Sequence, residues 1–275
     1  MKFAICNETF LDWTHDEAFE FARRSGYTGI EIAPFTLNPD ARKITEQQRN
    51  EVRSAADAAG LEVVGLHWLL AKTEGFYLTS PEREVRQRTG AYLEHLAHLC
   101  RDLGGSIMVF GSPQQRNLLP GVTMDQAMEY AADVFRQCMP TIERLDVTLA
   151  VEPLGPAEGN FLNTARDAAQ LIERVASPHC RLLLDCKAMS SEEEPPADIV
   201  RQFSPLLAHF HANDPNRLGP GFGELDFHPI LAALGEVDYR GWVSVEVFDY
   251  TPGVERLARE SIEYMQSCLK ELASS

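Results

Sequence analysis

Six cysteines occur in the 275 residues, but no CxxC pair is among them. Cys6, Cys100, Cys138, Cys180, Cys186 and Cys268 are scattered, which excludes a zinc knuckle and argues against a disulfide frame; they read as free thiols in a reducing cytoplasm. No apolar run approaches the roughly 18 residues of a membrane span. Met1 leads straight into KFAIC without a basic segment and long apolar core, so no secretory signal is expected. Basic residues are also in short supply: 25 Lys and Arg stand against 41 Asp and Glu, a net charge of −16. That balance suits no phosphate backbone, and no nucleic-acid partner is expected. Linkers, low-complexity tracts and shifts of composition are missing too, so residues 1–275 are expected to form one domain.

What is present is an ordinary globular composition, 44% hydrophobic and 24% charged, arranged in a β, α, β, α rhythm. Short apolar runs such as KFAIC, YTGIEIA, LEVVGLHW, SIMVF and VTLAVE alternate with helical stretches. Gly26 and Gly60 are placed to stop the first two helices, and Thr45 with Gln48 forms the signature of a capping box. A helix over 125–144 is expected to lose its last turn at Pro140. Eight strands and eight helices follow in order, which predicts a single (β/α)8 TIM barrel.

The chemistry gathers around AHFHAND, residues 208–214, where an apolar run ends in His211. TLAVEP ends another run in Glu152, CRLLLDC ends one in Asp185, and WVSVEVF carries Glu246 late in a fourth. The intervals (152 to 185, 185 to 211, 211 to 246) are about 33, 26 and 35 residues, each the length of one strand-plus-helix unit of such a barrel. Four consecutive strands would each deliver one donor to the same end, a set suited to a divalent ion such as Mn²⁺ or Mg²⁺. A single strand-end acid is commonly a cap; four in phase are a site. An ion of this kind can acidify the C–H between a carbonyl and a neighbouring hydroxyl and stabilise the resulting enediolate. Glu152 and Glu246, three strands apart, could then remove and return the proton.

The VEP, LLLD, HFHAND and VSVEV segments together resemble the xylose-isomerase-like barrels, a superfamily of sugar isomerases and epimerases that also contains AP endonucleases. The pattern is most similar to the ketose 3-epimerase branch, typified by D-tagatose 3-epimerase. The resemblance implies that Glu152, Asp185, His211 and Glu246 ligate one divalent ion, Mn²⁺ first, Mg²⁺ or Co²⁺ otherwise. It implies that Glu152 and Glu246 are the catalytic pair, and that the chain is a homo-oligomer, a dimer or tetramer, acting on a small-molecule sugar in the cytoplasm. Glu158 and Arg217 match two substrate-binding positions of that branch, whereas its histidine three residues after the aspartate is replaced by Ala188. Lys187 supplies the missing donor if the strand continues past Asp185, or is a surface lysine.

The endonuclease pattern is incomplete. Phe110 and Gly111 stand where a histidine belongs, Ala188 removes another, and the PNRLGPGFG loop lacks the rest, so one metal is expected rather than three. A dehydratase or lyase on a keto-sugar or keto-inositol would share the first proton abstraction, and a non-catalytic sugar-binding barrel is a further alternative.

Other candidates each carry two readings. His67 and Trp68, after the third strand, are substrate contacts or loop packing. Arg116 binds an anionic substrate group or pairs with a surface acid. His209 supports His211 from the same strand face or fills the barrel. GPGFGEL lacks the spacing of a phosphate loop and reads as a mobile turn.

Overall fold

A computed structural model describes residues 1–274. Its strands are β1 (Lys2–Cys6), β2 (Gly29–Ile32), β3 (Glu62–Leu66), β4 (Ile107–Phe110), β5 (Thr148–Val151), β6 (Cys180–Asp185), β7 (Leu207–Ala212) and β8 (Trp242–Val245). They close in chain order into one parallel barrel, β8 returning to β1 with Val245 opposite Ile5. The helices are α1 (His15–Ser25), α2 (Glu46–Ala59), α3 (Arg83–Asp102), α4 (Met124–Arg144), α5 (Ala165–Val175), α6 (Cys186–Met189), α7 (Pro196–Phe203), α8 (His228–Glu236) and α9 (Val254–Ser274). Eight of them alternate with the strands as the sequence predicts; α6 is an extra turn at the end of β6. No helix among the described residues is long and apolar enough to cross a membrane.

The helix starts are written locally. Thr14, Thr45, Thr123 and Thr164 each accept from the third helical N–H, and Glu17, Gln48, Gln126 and Asp167 return the bond. Each such box satisfies orphan donors worth about 1 kcal/mol. Gly26 (φ 111) and Gly60 (φ 68) end α1 and α2 in the left-handed region where other residues are strained. Pro140 does not end α4: the helix runs on to Arg144. Pro140 faces solvent, where water can satisfy the carbonyl it leaves unbonded, while Met139 and Ile142 bury and hold the last turn.

Side chains alternate across each strand, so one face of every strand fills the barrel. Along β8 that face carries Trp242, Ser244 and then Glu246; along β7 it carries His209 and His211. Trp242 packs with Ala4 and Val64 at the bottom, where Gly29 leaves room: a Cβ there would stand 2.5 Å from the indole. Val109, Ala150 and Leu183 form a second apolar group. Two residues further along β5 and β6 the same face presents Glu152 and Asp185, so the interior turns from apolar to acidic at the end where the strands finish.

Candidate metal centre and cavity

Glu152 and Glu246 follow β5 and β8 directly, Asp185 ends β6, and His211 is the next-to-last residue of β7. All four are buried, and each offers a donor atom within 4.8 Å of the others. Three carboxyl groups and an imidazole at this spacing suit a hard divalent ion. Electrostatics favour the same assignment. The Asp185 carboxyl is pushed up to about 7, by burial first and then by Glu152 beside it; a cation among these groups would remove that penalty.

His211 is turned by an acid absent from the sequence-based site. Its Nε2 lies 3.2 Å from Glu31 Oε1, on β2, and its Nδ1 lies 3.1 Å from Glu246 Oε2 and 3.7 Å from Glu152 Oε1. Without an ion, burial works against a charged imidazole, but Glu31 and Glu246 outweigh it and keep His211 protonated; with one bound, the imidazole would keep a single N–H directed at Glu31 and turn its Nδ1 lone pair to the ion. His209 bonds the other Glu31 oxygen at 2.8 Å. Burial disfavours the Glu31 carboxylate, yet His209 and His211 outweigh it and hold this acid well below its usual range.

Asp185 is fixed on both oxygens. Oδ1 accepts the Ala188 N–H at 2.7 Å, which makes Asp185 the cap of α6, and Oδ2 accepts from Asn213 Nδ2. Asn213 Oδ1 in turn accepts the Lys187 N–H at 2.8 Å. Gly111 is required by close approach: a Cβ there would lie 1.5 Å from Glu152 Oε2. The carboxylate of Glu152 therefore occupies the space that a histidine at position 111 would need.

Above the four donors opens a cavity of 590 Å³, walled in part by Trp68, Glu158, Lys187, Arg217 and Phe248. Lys187 reaches it by a different route from the one expected. The strand stops at Asp185 and α6 begins, yet the Lys187 ammonium turns back to pair with Glu158 and lies 5.1 Å above the Phe248 ring. It is therefore no surface lysine. Arg217 is in the left-handed region (φ 74), with its carbonyl accepting from Phe248 and Asp249 N–H and its exposed side chain on the cavity wall. Trp68, also left-handed (φ 52), donates from Nε1 to Glu246 Oε1 at 2.8 Å and stacks on Phe248 with ring centroids 6.1 Å apart.

Two expected substrate contacts lie elsewhere. Arg116 is buried, and its guanidinium donates to the carbonyls of Glu152, Phe161 and Leu162 at 2.6, 3.1 and 3.0 Å. With those bonds made, it buttresses the loop after β5 and does not line the cavity. His67 is buried beneath the cavity and bonds Glu8 at 2.6 Å. In the segment after β7, Asp214 accepts from the N–H groups of Asn216 and Leu225, each at 3.2 Å, which pins the chain before the turn-rich GPGFGEL stretch and at its last residue.

Sequence reasoning missed Glu8, Glu31 and Asn213. A lone acid inside the otherwise apolar run YTGIEIA was the available signal for Glu31, and the position two beyond His211 was the signal for Asn213. NETF offered nothing comparable for Glu8.

Known proteins resemble this chain along most of its length. A probable ketose 3-epimerase of Synechocystis is 26% identical over 278 residues, spanning 95% of this chain and 93% of its own. A D-psicose 3-epimerase of Agrobacterium fabrum is 27% identical over 256 residues, spanning 88% and 84%. A crystal structure of D-psicose 3-epimerase in the presence of D-fructose superposes with a TM-score of 0.86 at 21% identity, over 98% of this chain and 99% of that one, a likeness of fold. The family model described as xylose isomerase-like TIM barrel matches residues 19–268. A barrel of this order, matched over that span, belongs to the xylose isomerase-like TIM barrel family.

Proposed function

We propose that this chain is a divalent-metal-dependent sugar epimerase or isomerase acting on a ketose or related sugar, with Glu152 and Glu246 as its acid and base. The observation that carries the reading is the cluster of Glu152, Asp185, His211 and Glu246 beneath a cavity large enough for a sugar. The ketose 3-epimerase names of the relatives above support the substrate class. Those four residues would hold the ion, Mn²⁺ first with Mg²⁺ or Co²⁺ as substitutes, and it would supply the positive charge that acidifies the C–H beside a carbonyl and stabilises the enediolate.

The remaining steps belong to the side chains. One of Glu152 and Glu246 takes the proton and the other returns it, from opposite sides of a sugar lying between their strands. Trp68 keeps one oxygen of Glu246 in place. Glu158, Lys187 and Arg217 offer hydrogen bonds to the substrate hydroxyls. Trp68 and Phe248 cover an apolar edge and limit the access of water. A homo-oligomer working in the cytoplasm completes the proposal.

The test is solvent deuterium wash-in on a panel of free and phosphorylated ketoses, with stripped protein reloaded with Mn²⁺. Metal-dependent label at one carbon is expected, and Glu152→Gln and Glu246→Gln should each cut exchange by about 10²-fold or more while circular dichroism stays unchanged. Normal exchange in both variants would overturn the assignment.

A further inference from the structure

A second group of donors meets the first at Glu246. Cys6 ends β1, Glu8 lies in the 3-10 turn that follows it, and His67 follows β3. Each of these three, with Glu246, offers an atom within 4.8 Å of the others, and all four are buried. Their own hydrogen bonds leave the group unfinished. The His67 to Glu8 contact uses one atom of each, while Glu8 Oε1 and His67 Nδ1 make no hydrogen bond although both are buried; Nδ1 has only the carboxylate of Glu31 facing it at 3.8 Å. Among the described residues the Cys6 thiol makes no hydrogen bond. A buried polar atom left without a hydrogen bond is costly, and an occupant among atoms at ligand spacing would remove that cost.

We infer that Cys6, Glu8 and His67, with Glu246 as a shared carboxylate, form a second cation site next to the Glu152, Asp185, His211 and Glu246 set. The donor chemistry defines its occupant. A thiolate and an imidazole beside two carboxylates select a borderline-soft divalent ion such as Zn²⁺ or Co²⁺ over Mg²⁺, whereas the first set has no sulfur and accepts harder ions. Coordination releases to solvent the Cys6 thiol proton and, because burial is outweighed by Glu8 and Glu31, which raise His67 to about 9, the second imidazole proton as well, so no other reactant is involved and binding of this ion strengthens as pH rises. Glu246 can serve both sites because a carboxylate has two oxygens: Oε2 lies near His211, and Oε1 accepts from Trp68 with a lone pair remaining. The inference stands on the Cys6, Glu8 and His67 geometry and does not require the epimerase reading to hold.

Cobalt titration of the stripped full-length protein tests it. Two equivalents of Co²⁺ are expected, one of them giving the near-ultraviolet charge-transfer band of thiolate bound to cobalt. Cys6→Ser should abolish that band and weaken one equivalent at least about tenfold. Glu8→Gln should weaken the same equivalent, which guards against a fold defect peculiar to the Cys6 variant. Asp185→Asn should lose the other equivalent and keep the band, so failure of the first site is distinguishable from failure of the second. A single equivalent with no thiolate band, or a Cys6→Ser spectrum identical to the parent, would overturn the inference and leave the cluster occupied by protons alone.

Discussion

Glu31 controls which nitrogen His211 presents. It bonds His211 on one oxygen and His209 on the other, from a strand three places around the barrel. Glu31→Gln keeps the shape but can turn an amide N–H toward His211, which reverses the polarity of that contact. The expected cost is about 10- to 100-fold in affinity for the first ion, read by calorimetric titration with Mn²⁺; unaltered affinity would mean that the strand alone orients the imidazole. Residues of this sort were poorly legible in sequence. Asp185 and His211 announce themselves because each finishes an apolar run at a recurring interval, whereas Glu31 is one acid within a strand and pairs across 178 positions with His209. A contact that long has no local signature. Arg116 was misread for the same reason, since an arginine in a loop reveals nothing about burial.

Among the connecting elements, the loop after β5 is the most demanding. Glu152 and Leu162 lie at its ends, Glu158 lies within it, and the Arg116 guanidinium fastens the carbonyls at both ends. Arg116→Met would leave three buried carbonyls without this donor and is expected to destabilise the fold by about 3 kcal/mol or more, measured by urea unfolding. Arg116→Lys should recover only part of that loss, because a single ammonium cannot reproduce a planar fork. At this scale the sequence was legible where chemistry is local: the Thr45 to Gln48 box and the stops at Gly26 and Gly60 are as expected. It was less legible where neighbours decide. The passage from β6 into α6 depends on Asp185 capping the Ala188 N–H, and α4 survives Pro140 because packing holds the turn beyond it.

For the whole molecule, the buried acid and imidazole groups tie stability to pH. Burial works against a proton on His67, but Glu8 first and then Glu31 outweigh it, and the imidazole is raised to about 9. Because the native chain binds that proton more tightly than the unfolded chain, whose imidazole has an ordinary value near 6.5, the stabilisation is complete below about pH 6.5 and is lost as pH rises through about 9. Urea unfolding of metal-free protein between pH 6 and 10 should show this decline, and His67→Gln should flatten it. Equal slopes for the two proteins would place the proton elsewhere.

The polar interior also divides the polypeptide in two. Glu152, Asp185, His211 and Glu246 all come from β5 to β8, and Glu8, Glu31 and His67, which stand behind them, all come from β1 to β3. The later half-barrel owns the donors of the first site; the earlier one owns the groups that aim and balance them, together with three of the four donors of the second. Neither half completes the site alone, so a gene cut between β4 and β5 would yield two fragments whose reunion must restore the Glu31 contacts with His209 and His211 as well as close the sheet.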